Sequence, residues 1–183
     1  MRNVLNWLLR PALLWSLLLI YMAMGFWVMP RAAAKIEPYR REWQVLDLEL
    51  NYTPQQVQLL FETLGEEGRA TYRSVELTED FFYPLSYGLL LSLGIIYFFQ
   101  KSLPKIPQMA LLGIFPLIAM GFDYAENFMI VSMLSAYPQI SEQTVSLASS
   151  ATTLKWGFVI LSLLLIFTAL LIHLFKRYVF RRI

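Results

Sequence analysis

The chain has 183 residues, of which 57% are hydrophobic, 15% aromatic and only 15% charged. A soluble globular domain carries about 25% charged residues, so this composition points to an integral membrane protein and excludes general disorder. The net charge of +2 suggests no nucleic-acid partner, and the absence of cysteine excludes disulfides, thiolate metal sites and cysteine nucleophiles.

Four stretches are long and apolar enough to cross a bilayer as helices. The first, from about Pro11 to Met29, contains no charge. Ala32-Ala33-Ala34 follows it and faintly resembles a signal-peptide cleavage site. The apolar run is longer than a usual signal core, so it is read as a retained span anchored by Trp27 and Arg31. The others run from about Phe81 to Phe99, from Gln108 to Tyr137 and from Trp156 to Phe175. The expected fold class is therefore an all-α, four-span bundle with a small α/β cap between spans one and two. Its parts are 1–30 (N-terminus and first span), 31–80 (cap), 81–175 (remaining spans) and 176–183 (basic tail).

The cap segment is patterned. Leu46-Asp47-Leu48-Glu49-Leu50 alternates like a short strand, and Val75-Glu76-Leu77 is read as its partner. Thr53, Pro54 and Gln56 form a capping-box start. Val57, Leu60, Phe61 and Leu64 then share one helical face, and Gly65 ends the helix. A second short helix is expected over Glu66–Arg73, with Thr78 or Asp80 capping span two.

Arg2, Arg10, Lys101, Lys105, Lys176, Arg177, Arg181 and Arg182 flank the spans on one side, with no acidic residue among them. The segment 30–80 carries ten acidic residues against six basic ones. The positive-inside rule then places both termini in the cytoplasm and the cap outside. The tail also interleaves Tyr178 and Phe180 with its cations, a pattern suited to anionic headgroups.

Charges inside a span face the bundle interior or a wet cavity. Asp123, Glu126 and Asn127 stand at i, i+3 and i+4 on span three, on one face. At a rise of ~1.5 Å per residue, Asp123 lies ~24 Å and Glu126 ~28 Å above the cytoplasmic end. Lys155 on span four and Asp80 at the start of span two reach a similar height, with Tyr83, Tyr87, Tyr124 and Trp156 around them. The expected ligand-binding set is Arg69, Tyr72, Asp80, Tyr87, Asp123, Glu126, Asn127, Lys155 and Trp156. Arg69 enters it as a guanidinium that folds back to the acids or clamps a lipid phosphate. Asp123, Glu126 and Lys155 are also the candidates for catalysis. Two neighbouring acids beside one lysine repel, so one of them, Asp123 before Glu126, is expected to hold a proton. No metal and no cofactor are expected, and His173 is read as an interface residue. Ser146 to Thr153, Gly113, Gly121 and Gly157 offer close helix approach.

Four spans with a large first external loop are shared with claudins and tetraspanins, but both rely on cysteines in that loop. Sterol-isomerase-like bundles also place acids and tryptophan among their helices, without a shared motif. Gly65-Glu66-Glu67-Gly68-Arg69-Ala70-Thr71-Tyr72, Asp80 to Pro84, Tyr87, Asp123-Tyr124-Ala125-Glu126-Asn127 and Lys155-Trp156 resemble a family of small four-span bacterial inner-membrane proteins with no known activity. That resemblance covers residues 10–175 and implies topology and location, not function.

The leading expectation is binding of a membrane lipid or a protein partner at an outer-leaflet polar pocket. The alternatives are a small intramembrane enzyme acting on a lipid or isoprenoid with an Asp/Glu acid–base, and a proton- or solute-coupled transporter subunit. Four helices are few for a transporter, so the last requires a homo-oligomer.

Overall fold

The computed structural model describes residues 7–180. Arg2, Arg181 and Arg182, and the side chains of Val179 and Phe180, lie outside the described residues. Four helices are long and apolar enough to cross a membrane. The chain is a helical bundle, and among the described residues there is no strand.

Helix α1 (Pro11–Arg40) starts on a proline, where a missing N–H costs nothing. Its first half buries no side chain, and Trp15, Leu19, Phe26 and Trp27 are all exposed. A helix apolar on every side, as here, suits the interior of a bilayer. A π turn at Met24–Val28 ends two residues before Pro30. A proline ring collides with the carbonyl four residues earlier, and the widened turn at Phe26 relieves that clash. The helix then continues unbroken through Ala32–Ala34 and buries Ala32 and Ile36 at i and i+4.

Helix α2 (Pro54–Leu77) forms the cap. The Thr53 hydroxyl accepts from the Gln56 N–H, and the Gln56 side chain accepts from the Thr53 N–H, so the capping box is complete. Gly65 sits at φ 64°, ψ −176°, a conformation nearly restricted to glycine, and kinks the helix there. Val57, Leu60, Phe61 and Leu64, then Tyr72 and Val75, pack on Ile130, Met133 and Leu134 of α4 (Ile114–Ala136) and on Val145 and Ala148 of α5 (Glu142–Phe180).

The expected α/β cap is not what forms; the cap is helical. Leu46–Leu48 makes a single 3-10 turn, with Leu46 buried while Leu48 and Leu50 are exposed. The expected second strand, 75–77, is instead the end of α2. Tyr72, Val75 and Glu76 are buried at i, i+3 and i+4, a helical face that a three-residue alternation imitates. The second helix therefore runs past Arg73.

Helix α3 (Glu79–Ser102) follows α2 with only Thr78 between them. Thr78 occupies the N-cap position, but its hydroxyl donates to the Ser74 carbonyl and to Glu79 rather than capping. Asp80 does not cap either. A 3-10 turn at Pro107–Gly113 leads into α4 (Ile114–Ala136), and α5 (Glu142–Phe180) closes the bundle.

Close approach is real at some glycines only. A Cβ on Gly113 would stand 2.6 Å from Ile96, and one on Gly88 3.0 Å from Met120. Gly121 and Gly157 face open space, so they do not mediate helix contacts. At the end away from the cap, Ile95, Phe99 and Ala169 form a second core. There His173 Nδ1 lies 3.1 Å from the Ser102 hydroxyl, and Lys176 caps α3 by donating to the Ser102 carbonyl at 2.5 Å.

Candidate binding cavity beneath the cap

Lys155 is the centre of a buried polar network. Its Nζ lies 2.5 Å from Glu126 Oε2 and 3.5 Å from Asp123 Oδ1, and donates to the Asp47 carbonyl at 3.3 Å. All three residues of the ion pair are buried. Placing one lysine against two acids one helical turn apart works because i and i+3 on α4 face the same way. The Thr152 hydroxyl donates to Glu126 at 2.5 Å, and the Tyr87 hydroxyl donates to Asp123 at 2.8 Å. One residue on, Trp156 Nε1 donates to the Asp47 carbonyl at 3.3 Å.

Asp80 joins through Asn127, whose side-chain amide donates to Asp80 Oδ2 at 2.9 Å. The structure thus brings together Asp80, Tyr87, Asp123, Glu126, Asn127, Lys155 and Trp156. The depth match predicted from three separate spans extends to the direction in which they point. Tyr72 belongs to the same region: its hydroxyl accepts from the Leu46 N–H at 3.0 Å and donates to Asp47 Oδ1 at 3.3 Å. It thereby holds the 46–48 turn over the network.

Arg69 does not belong. It donates to the Phe61 carbonyl at 2.7 Å, and its guanidinium stacks 4.1 Å above the Tyr137 ring. The kink at Gly65 ends a run of helix there, and a cation is favourable at such carbonyls. The cluster receives no arginine from the cap.

A cavity of about 480 Å³ lies beside this network. Asp47, Glu76, Asp80, Asp123 and Lys155 line it, together with the rings of Tyr21, Tyr72, Tyr83, Tyr87 and Trp156. Glu126 and Asn127 stand behind the wall. Below, Leu90 and Leu91 of α3 and Val159 and Leu163 of α5 make an apolar continuation, with Met29, Ala33 and Ile36 of α1 along one side. Helix α1 packs on α2 and α3 and has no comparable packing on α5, so the cavity fills the gap between α1 and α5. The Lys35–Glu79 ion pair ties α1 to the start of α3 at the cap end.

Glu76 and Asp47 were not expected here. Glu76 is 3% exposed, and its Oε2 has no hydrogen-bond partner. Both were masked by the strand reading of their neighbours. A helical reading exposes the signal: Tyr72, Glu76 and Asp80 stand at i, i+4 and i+8, and the same stripe continues through Tyr83, Tyr87, Leu90 and Leu91.

Outside the spans, burial pushes the Tyr52 phenol above its ordinary value, so this ring at the edge of the cap stays a neutral hydroxyl. Among the described residues, no group of three or more His, Cys, Asp or Glu side chains is placed to hold a metal ion. Comparison with known proteins finds no matching family model, no matching curated protein and no matching solved structure.

Proposed function

We propose that this chain is a multi-pass protein of the bacterial inner membrane, with cytoplasmic termini, that binds a lipid-like amphiphile in the cavity under its cap. One observation carries the reading. Two walls of the cavity grade from charged to apolar in the same direction. On α3 the sequence of lining residues is Asp80, Tyr83, Tyr87, then Leu90 and Leu91; on α5 it is Lys155, Trp156, then Val159 and Leu163. From Asp80 to Leu91 the gradient extends ~16 Å along the helix axis. An amphiphile has that same gradient, and binding cavities combine apolar walls with a few placed polar groups. The gap between α1 and α5 leaves a side toward the lipid phase, from which such a molecule enters. The orientation rests on Lys101, Lys105 and Lys176 at the end of the bundle opposite the cap, which the positive-inside rule assigns to the cytoplasm, with the cavity in the outer leaflet.

A second reading, a small enzyme acting on the same amphiphile, is favoured by one feature. The Tyr87 hydroxyl, Asp123 carboxyl and Lys155 ammonium form a connected chain along the wall, the inventory for proton transfer.

Native mass spectrometry of protein extracted in mild detergent tests both. The expected spectrum contains an adduct of lipid mass that is lost in Leu163→Trp, which fills the apolar end. A bare protein in both samples would contradict the binding reading. A lipid released with an altered mass after incubation would favour the enzyme.

A further inference from the structure

The cavity holds more acid than its lysine matches. Lys155 uses its contacts on Glu126, Asp123 and the Asp47 carbonyl. Among the described residues, no cation lies within ion-pair distance of Asp47, Glu76 or Asp80. Asp80 receives one hydrogen bond from Asn127 at Oδ2, and Asp47 one from Tyr72. Glu76, 97% buried by its 3% exposure, borders the cavity with Oε2 unpartnered. A buried carboxyl without a donor is costly, so its persistence points to a group that arrives from outside the chain.

The surrounding surface says which group. Glu76 and Asp80 are one helical turn apart on the same wall, across the Thr78 junction. Below them the Tyr21 and Tyr83 rings stack at 6.1 Å between centroids, and Tyr83 meets Tyr87 edge-on at 5.7 Å. Carboxylates supply charge, and ring faces attract an organic cation by their quadrupole. A metal ion would require further oxygen ligands, and no three-acid arrangement for one exists among the described residues. An anionic head would face Glu76, Asp80 and Asp47 with Lys155 already neutralised.

We infer that the head of the bound molecule is an ammonium group, held by Glu76 and Asp80 against the tyrosine wall, with its apolar chain running toward Leu91 and Leu163. A primary ammonium is the best fit, because its N–H groups donate to the Glu76 and Asp80 carboxyl groups that line the cavity. This deepens the proposed function and rests on it.

The test is equilibrium binding of radiolabelled dodecylamine to the full chain in neutral-detergent micelles, with unlabelled competitors. Dodecylamine should bind saturably, dodecanol and dodecanoate should compete poorly, and ethylamine should not compete because it has no tail. Glu76→Gln should weaken dodecylamine by about tenfold or more, the loss of one charge-assisted contact, and leave dodecanol unchanged. Asp80→Asn, which keeps a side-chain oxygen facing Asn127, should act in the same direction and serves if Glu76→Gln does not fold. If dodecanol binds as tightly as dodecylamine and neither variant discriminates, the ammonium inference is wrong while the amphiphile reading stands. If ethylamine competes as well as dodecylamine, the site recognises free amines and the amphiphile reading fails. If no twelve-carbon compound binds saturably, both fail.

Discussion

Lys155 of α5 and Glu126 of α4 meet inside the bundle with Nζ and Oε2 2.5 Å apart, and Glu126 has no exposed surface. This pair joins two of the long apolar helices at the level of the cavity. It also fixes the charge that the cavity presents, because Lys155 is held to Glu126 and Asp123 and is not free to neutralise Glu76 or Asp80.

Removing one partner of such a pair strands the other. Lys155→Met should destabilise the protein by ~3–5 kcal/mol, the cost of an uncompensated buried charge. Lys155→Met combined with Glu126→Gln should recover part of that loss. Thermal unfolding in detergent measures both, and strictly additive changes would show that the two side chains are not energetically coupled.

Two glycines on spanning helices or their approaches predict opposite outcomes. A methyl group on Gly113 meets Ile96 at 2.6 Å and the Ser92 carbonyl at 3.0 Å, so Gly113→Ala should cost ~1–3 kcal/mol by overpacking. Gly157 faces open space, so Gly157→Ala should be neutral or stabilise by up to ~1 kcal/mol through helix propensity. Equal effects at the two positions would contradict the close packing of the Pro107–Gly113 turn on α3.

The orientation makes its own prediction. Reporter fusions at Gln100 and at the C-terminus should report the cytoplasm, and one at Thr63 the opposite side. A C-terminal reporter on the same side as Thr63 would contradict the four-span topology.

The spans were legible because ~20-residue apolar runs have few alternatives. The capping box at Thr53 and the break in helical geometry at Gly65 were legible because each is local chemistry. The shared depth of Asp80, Glu126, Asn127 and Lys155 was legible from the helical rise. The cap was misread where short segments are ambiguous: Val75-Glu76-Leu77 fits either period, and only Tyr72 and Asp80 on either side reveal the helix. That error hid Glu76, the least satisfied acid of the cavity. Arg69 was misplaced for a different reason. Its partner is a backbone carbonyl made available near a kink, and no pattern of side chains announces that. The unequal roles of Gly113 and Gly157 depend on which face of each helix meets a neighbour, and that is decided by the whole bundle.

The proposed function puts the chain of an amphiphile in the apolar end of the cavity. Photolabelling with a twelve-carbon amine bearing a diazirine at the end of its chain tests it most directly. Cross-links are expected in the peptides containing Leu90–Leu91 and Val159–Leu163, abolished by excess unlabelled dodecylamine and by Leu163→Trp. Labelling confined to exposed apolar residues such as Phe128 and Phe167, indifferent to competitor and to Leu163→Trp, would contradict it.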